Sequence, residues 1–187
     1  MRLISSEGER LYLTQDERKI FEKHALKQER KVMSMALVML YTGCRISEVL
    51  NIQYKHVDLS EKRIIIESLK KRKKGIFRTI PISPELVERL DLVHGIRENK
   101  EPNTFLWSYT RMTAWRKINA IMIESNLSGK KATPKGLRHS FGIHAILSNV
   151  PITKVQKWLG HAHVSTTAIY TDAVGKEEDE LAQRMWE

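Results

Sequence analysis

The residue types that could carry out chemistry are concentrated between positions 133 and 172. Thr133 and Pro134 supply a capping hydroxyl and a proline at the first position of a predicted helix. Arg138 falls one turn into that helix, and Lys135 precedes it on the same side at the i−3 position. The stretch therefore begins with a lysine and an arginine on one helix face.

An imidazole and a phenol follow these cations. A short helix is predicted at about residues 152–159 and ends at Gly160, whose left-handed cap turn would aim His161 off the helix end. Tyr170 lies in a short helical run that begins with serine and threonine. None of these candidates is a carboxylate, the group expected for magnesium binding or glycoside chemistry. Cations with a phenol suit an anionic substrate and a nucleophile that needs no metal.

A further cation, Arg45, lies in the sequence GCRISEVL of residues 43–50. Gly43 permits a sharp turn, and a helix is predicted to resume over residues 47–52. From these residues alone, the ordinary interpretation of Arg45 is a capping arginine, or one that forms a salt bridge with Glu48.

A hairpin with a basic tip is predicted in the middle of the chain. Two β-branched runs, residues 63–67 and 76–80, flank the sequence KKRKKG at residues 70–75. Taken alone, a charge run of this kind indicates a solvated turn.

Motifs along the chain resemble, in order, those of the tyrosine recombinase (phage-type integrase) family. The arginine box, the H-x-x-R box, the LGH motif and the STTxxY motif of that family align with residues 43–49, 135–138, 159–161 and 165–170. One position departs from the pattern, because Lys135 replaces the leading histidine of the H-x-x-R box. The resemblance covers about residues 12–172.

The resemblance implies that catalytic groups come from distant parts of the chain. Arg45 and Arg138 would be the arginine pair that stabilises a phosphodiester transition state, and His161 would donate to the same oxygens or assist proton movement. Tyr170 would be the nucleophile, and its phenol is expected to ionise more easily beside the cations. Its attack would leave a 3′-phosphotyrosyl link, so rejoining would need neither ATP nor metal.

The resemblance also implies a mobile lysine on the hairpin, as the general acid for the departing 5′-oxygen. Counting from the hairpin turn favours Lys73, with Lys71 and Lys74 as alternatives. Lys135 is assigned to the catalytic site as a donor to phosphate. A lysine is a poorer proton acceptor near neutrality than the histidine it replaces, so general-base work at that position is in doubt.

Other residues are expected to support the site or to contact DNA. His139 and Glu48 are predicted to be supporting hydrogen-bond partners. The predicted contacts to DNA are Lys70, Lys71, Lys74, Lys130 and Lys131. We expect no metal and no cofactor. The pairs His139 with His144 and His161 with His163 lack the i, i+4 spacing of metal ligands on a helix, and no cysteine or acidic cluster would complete a set of metal ligands.

The composition is typical of a globular protein with a nucleic-acid partner. The chain of 187 residues carries 32 Lys and Arg against 22 Asp and Glu, and the resulting charge of +10 favours double-stranded DNA. The lone Cys44 excludes an internal disulfide and fits a reducing compartment. With no apolar run long enough for a membrane span and no signal peptide, the sequence predicts a cytoplasmic protein. Trp115 and Trp158 are expected in the core.

The predicted fold is mixed, mostly α-helical with a small antiparallel β-sheet (α+β), as the resemblance to tyrosine recombinase catalytic domains implies. Residues 1–12 are predicted to be a short, loosely held segment, and residues 13–174 the catalytic domain. Residues 175–187 are predicted to form a tail helix that packs on its own domain or docks in trans on a neighbouring subunit. The chain is expected to be either an excised catalytic domain or a single-domain member, like the family's fimbrial-switch invertases.

The resemblance favours a site-specific recombinase that integrates, excises or inverts DNA, as phages and other mobile elements require. The alternatives are a catalytically idle DNA-binding regulator with the same fold and a type IB topoisomerase-like enzyme. We expect a monomer when the protein is free and a homotetramer on paired DNA sites. Tyr170 is expected to lie apart from the arginines until DNA binds.

Overall fold

Helices make up most of the described chain, which comprises residues 2–69, 75–98, 100–171 and 186 in this computed structural model. The α-helices are α1 (Gln15–Ala25), α2 (Arg30–Thr42), α3 (Ile46–Val49), α4 (Pro84–His94), α5 (Arg111–Glu124), α6 (Pro134–Leu147), α7 (Ile152–Leu159) and α8 (Ser165–Ala168). The strands are β1 (Val57–Asp58), β2 (Arg63–Glu67) and β3 (Phe77–Pro81), and 3-10 turns lie at Tyr54–His56 and Ile96–Glu98. The predicted mixed, mostly helical fold with a small sheet is confirmed.

The helix starts follow the predicted capping chemistry. Thr14 and Glu17 form a reciprocal capping box at α1. At α6 the Thr133 hydroxyl accepts a hydrogen bond from the Gly136 backbone N–H, and Pro134 follows in the first turn. Both helices therefore begin where local side chains satisfy free backbone donors. The helix predicted over residues 47–52 is shorter in the structure, where α3 ends at Val49.

The sheet is antiparallel, with the order β1-β2-β3. Ile64 pairs with Ile80, and Ile66 pairs with Arg78, so alternate residues of β2 and β3 share one buried face. The predicted hairpin is therefore confirmed, and an arginine lies on its core-facing side. Residues 70–74, at its tip, lie outside the described part of the chain.

Helix α2 forms the centre of the larger core and packs against α1, α4 and α6. Met35 and Met39 are fully buried, and Met33 packs against the same cluster from a half-buried position. The flexible thioethers fill the gaps between three helices, as the sequence predicts. Since α2 ends at Gly43, this rigid helix fixes the position of the turn that carries Arg45.

A second, smaller core lies between α6, α7 and the two ends of the described chain. Leu3 and Tyr12 from the N-terminal segment and Tyr170 near the other end are buried in it. Backbone pairing between Ile4 and Arg10 closes the N-terminal segment into a loop. The prediction that residues 1–12 are loosely held is therefore wrong at Leu3 and Tyr12, which are anchored in this core, whereas Ile4 is 44% exposed.

Within the described residues, no helix is long and apolar enough to cross a membrane.

Candidate active site

Arg45 is held by the helix that follows it. Gly43 adopts a left-handed conformation (φ 61°) and ends α2, and Arg45 then occupies the N-cap position of α3. One Glu48 oxygen accepts from the Arg45 backbone N–H at 2.8 Å and the other from its Nη1 at 2.7 Å. The salt bridge expected from the sequence is present, and it leaves the other guanidinium nitrogens of the partly exposed Arg45 side chain free of Glu48.

Arg138 connects the motifs from inside the protein. From α6, its Nη1 donates to the Gly43 carbonyl at 2.8 Å and its Nη2 donates to the Leu159 carbonyl at 2.6 Å. The residue is only 3% exposed, and its Nε has no hydrogen-bond partner among the described residues. One guanidinium therefore ties the turn before Arg45 to the end of α7.

Glu48 is the buried counter-ion of this cluster, and Arg78 is its second tight partner. Arg78 Nη2 lies 2.6 Å from one Glu48 oxygen, and Arg138 Nη1 lies 4.0 Å from the same atom. Burial alone would raise the pKa of Glu48, but the hydrogen bond and charge of Arg78, followed by those of Arg45, outweigh burial and lower the pKa. Glu48 is therefore a carboxylate that orients guanidinium groups, and its supporting role in catalysis stays a prediction.

Sequence reasoning missed Arg78. Besides Glu48, its guanidinium donates to the Trp158 carbonyl at 2.7 Å and to the Ser68 hydroxyl at 3.1 Å. The position of Arg78 in the sequence could have revealed it, because Arg78 lies two residues before Ile80 and so on the same, core-facing side of a predicted strand. A charged residue at such a position must find buried partners.

His161 follows the left-handed cap Gly160 (φ 67°) of α7, as predicted. Its Nδ1 lies 2.9 Å from the Thr167 hydroxyl, and its buried Nε2 has no hydrogen-bond partner among the described residues. Burial, and then the charges of Arg138 and Arg45, lower the pKa of His161 to about 3. The imidazole is therefore neutral at ordinary pH.

Tyr170 is packed on two histidines. Its ring stacks on His161 with centroids 6.2 Å apart, and it meets the edge of His139 at 5.9 Å. Its hydroxyl lies 3.4 Å from His139 Nδ1, and the supporting role of His139 stays a prediction. A side chain at Gly142 would meet the Tyr170 ring at about 2.5 Å, so this glycine of α6 makes room for the phenol.

Two expectations concern the environment of Tyr170. Burial raises the pKa of its phenol to about 12, although Arg138 and Arg45 each act to lower it. The two arginines therefore act in the predicted direction, but desolvation outweighs them and the net pKa of the phenol is raised. The expectation that Tyr170 lies apart from the arginines until DNA binds stays a prediction: the charges of both act on its pKa, while its hydroxyl contacts His139.

The cluster opens onto a cavity of about 910 Å³. The described residues that line it include Arg45 and Arg138 but not Arg78, and none of them is a carboxylate. They are Leu11, Arg45, Ile46, Ser47, Arg111, Trp115, Lys130, Thr133, Pro134, Lys135, Gly136, Arg138, His161 and Thr166. Trp115 is 41% exposed here, so its predicted place in the core is wrong, whereas Trp158 packs against the core. Tyr170 is not part of this lining.

The predicted lysines have different surroundings. Lys135 is exposed in the first turn of α6 and lines the cavity. Lys130 forms ion pairs with Glu7 and Glu9 of the N-terminal segment. Lys131 forms a 2.5 Å ion pair with Glu17. Lys70, Lys71, Lys73 and Lys74 lie outside the described residues.

No group of three or more His, Cys, Asp and Glu side chains converges within the described part of the chain. The charged groups that meet at this site are instead guanidiniums around one carboxylate. Such an arrangement can bind an anion by donating hydrogen bonds from fixed cations.

Known proteins share both the sequence pattern and the fold. The family described as "Phage integrase family" matches residues 10–177. Tyrosine recombinase XerA of Pyrococcus furiosus is 30% identical over 179 residues, which are 92% of this chain and 60% of that protein. Tyrosine recombinase XerC of Proteus mirabilis is 31% identical over 147 residues, 74% of this chain and 46% of that protein. This chain thus spans about half to three fifths of the length of these relatives.

Two solved structures place the fold. The crystal structure of XerA recombinase superposes with a TM-score of 0.78 at 28% identity and covers 93% of this chain and 64% of that one. The catalytic domain of bacteriophage HP1 integrase superposes with a TM-score of 0.69 at 19% identity and covers 94% of this chain and 95% of that one. At this low identity, the second comparison concerns the fold alone.

Proposed function

Because the chain belongs to the phage integrase family, we propose that it cuts and rejoins double-stranded DNA at specific sites by tyrosine-recombinase chemistry. The observation that carries the proposal is the convergence of Arg45, Arg138 and His161 on one carboxylate-free cavity lining, with Tyr170 stacked on the imidazole. Residues 13–174 are the proposed catalytic domain.

The cavity is the proposed site of the scissile phosphate. Arg45 and Arg138 retain N–H groups beyond those bonded to Glu48 and to backbone carbonyls, and these can donate to the nonbridging oxygens. Guanidiniums stay charged at any working pH and match a phosphate in geometry. They are held before the substrate arrives, so little reorganisation accompanies the growth of negative charge in the transition state.

Tyr170 is the proposed nucleophile. Its phenolic oxygen attacks phosphorus, the bond from phosphorus to the 5′-oxygen breaks, and the phenolic proton is released while the departing 5′-oxygen takes one up. The protein is left joined to the DNA 3′-phosphate, and attack by a 5′-hydroxyl on this ester reverses the step. Because burial raises the pKa of Tyr170 to about 12, DNA binding must bring the phenol into contact with a proton acceptor or with further positive charge.

Lysines are the proposed proton donors. Lys73 on the hairpin is assigned as the general acid for the 5′-oxygen, with Lys71 and Lys74 as alternatives, all outside the described residues. Lys135 is assigned as a donor to phosphate, which its exposed place on the cavity supports. Lys70, Lys130 and Lys131 are proposed to contact the DNA backbone. For Lys130 and Lys131 this requires phosphate to replace Glu7, Glu9 and Glu17.

The proposal includes how the protein assembles and where it works. A monomer in free solution would form a homotetramer on two paired DNA sites, with residues 175–187 docking in trans. The net charge of +10 supports DNA as the partner. The single cysteine is a buried free thiol, which agrees with a cytoplasmic location.

The test is covalent capture of DNA. Repeated sequences in the DNA that flanks the gene supply candidate sites, and a nicked duplex of each site traps the intermediate because the released strand diffuses away. Wild-type protein should form an adduct that survives denaturing gel electrophoresis, and Tyr170→Phe should form none. Tyr109→Phe, a matched change at a half-buried tyrosine whose hydroxyl contacts Glu29, should retain the adduct.

Other outcomes would identify the alternatives. Specific DNA binding without an adduct from wild-type protein would contradict the proposal and favour a catalytically idle regulator. An adduct with relaxation of supercoiled DNA, but with no exchange between two sites, would favour a topoisomerase-like enzyme.

A further inference from the structure

Thr167 is a buried polar residue that the proposed chemistry leaves unused. It belongs to the short helix α8, is fully buried, and places its hydroxyl 2.9 Å from Nδ1 of His161. Its backbone carbonyl accepts the N–H of Tyr170 at 3.0 Å. One residue therefore contacts the imidazole through its side chain and the segment of the proposed nucleophile through its backbone.

The hydroxyl matters because His161 has only one proton to place. Burial and the neighbouring arginines keep the imidazole neutral, so one ring nitrogen carries hydrogen and the other is an acceptor. Nδ1 faces Thr167, and Nε2 is buried without a partner among the described residues. The direction of the hydrogen bond between Nδ1 and the Thr167 hydroxyl therefore decides whether Nε2 can donate to an anion or only accept a proton.

We propose that Thr167 is a positioning residue whose hydroxyl donates to Nδ1 of His161 and thereby fixes the proton on Nε2, ready to donate to the scissile phosphate. The direction of this hydrogen bond and its consequence for DNA cleavage rest on the proposed function, but the tautomer itself can be measured without DNA. The opposite arrangement, in which Nδ1–H donates to Thr167, would turn a lone pair of Nε2 towards an anionic oxygen and would be repulsive there.

Neighbouring groups restrict the positions of both the His161 imidazole and the Thr167 hydroxyl. The backbone of His161 is fixed by Gln156, whose carbonyl accepts the His161 N–H at 3.1 Å and whose side-chain Nε2 donates to the His161 carbonyl at 3.2 Å. Stacking on Tyr170 fixes the plane of the imidazole ring. The β-branched Thr167 has few side-chain rotamers in a helix. The hydroxyl and Nδ1 are therefore held together without any bound substrate.

The direct test is nitrogen NMR of the full chain, labelled at histidine and free of DNA. The signals of His161 are assigned from their loss in His161→Gln. Wild type and Thr167→Ser, which keeps the hydroxyl, should show the tautomer protonated at Nε2. Thr167→Val keeps the shape and removes the hydroxyl, so its His161 should become a mixture of tautomers. Ser165→Ala removes an exposed hydroxyl from the same helix and serves as the control.

The kinetic test uses the nicked duplex that captures the intermediate. Thr167→Val should form the adduct about tenfold more slowly than wild type, the loss expected for one hydrogen bond, and Thr167→Ser should restore most of the rate. Thermal unfolding of Thr167→Val near the wild-type temperature separates this effect from loss of the fold.

Two results would overturn the inference. One is wild-type His161 protonated at Nδ1, and the other is a Thr167→Val protein whose His161 tautomer is unchanged. Absence of any adduct from wild type, together with the predicted tautomers, would reject the proposed function and leave the role of Thr167 in fixing the imidazole intact.

Discussion

Among single residues, the two cations of α6 differ most in what depends on them. Arg138 is buried, donates to the carbonyls of Gly43 and Leu159, and so holds two motifs in place. Lys135 is exposed on the cavity one turn earlier. Desolvation, and then the charge of Arg45, lower the pKa of Arg138 to about 10, which leaves it cationic at neutral pH.

We therefore expect Lys135→Ala to weaken DNA cleavage less than Arg138→Ala. Loss of one preorganised donor at a developing oxyanion costs about 10²- to 10³-fold, and Arg138→Ala should reach or exceed that range because it also leaves two buried carbonyls unpaired. Lys135→Ala should cost about tenfold, since water can replace an exposed donor. Single-turnover adduct formation on a nicked duplex measures both, and an equal or larger loss for Lys135→Ala would contradict this order.

At the scale of elements, the strand β3 is joined to the catalytic motifs by Arg78. This arginine lies beside Ile80 in the strand and reaches Glu48 of α3, the Trp158 carbonyl of α7 and the hydroxyl of Ser68. Glu48 in turn holds Arg45. The sheet therefore fixes the relative positions of α3 and α7 through polar contacts, as well as through packing.

Arg78→Ala should lower the free energy of unfolding by about 3 to 5 kcal/mol, since it leaves a buried carboxylate with one fewer counter-ion. Arg63→Ala on the neighbouring strand is the matched control. Arg63 is half-exposed, its nearest carboxylate is 4.0 Å away, and its loss should change the free energy by about 0.5 kcal/mol or less. Urea unfolding monitored by tryptophan fluorescence measures both, and similar losses from the two variants would refute the role given to Arg78.

For the whole molecule, buried neutral histidines link stability to pH. Burial lowers the pKa of His94 to about 4. Burial, followed by the charges of Lys135 and Arg138, lowers the pKa of His139 to about 4 as well. His161 is lowered to about 3. In the unfolded chain these groups titrate near 6.5, so between pH 6.5 and about 4 the unfolded state binds more protons than the folded state.

Stability should therefore be fully present above pH 6.5 and should be lost as the pH falls towards 4. The buried carboxylate Glu48 has a lowered pKa and begins to contribute only below its unfolded value of 4.5, so the window from 6.5 to 4.5 reports mainly on the histidines. Urea midpoints measured across this window should fall steadily, and His94→Gln should flatten the decline. A midpoint that stays constant from pH 7 to 4.5 would exclude the linkage.

The features of this protein that depend on neighbouring residues could be predicted from the amino-acid sequence. The capping residues Thr14 and Thr133 mark helix starts because the groups they satisfy lie within one turn. Alternating β-branched residues give the hairpin for the same local reason. The motifs with Arg45, Arg138, His161 and Tyr170 likewise indicate candidate site residues, because family resemblance rests on residue types and their order. The roles of these four residues remain part of the proposal.

How those groups affect one another depends on the folded arrangement of the chain. Arg78 contacts Glu48, which is 30 residues away in the sequence, and Lys130 contacts Glu7, which is 123 residues away. No local pattern encodes such pairs, because they depend on how distant elements pack. The pKa of Tyr170 could not be predicted from the sequence for the same reason. The sequence motifs indicate the nearby cations, but not the burial whose effect on the pKa outweighs theirs. Desolvation is set by all the atoms around a group, and those atoms are assembled only when the chain folds.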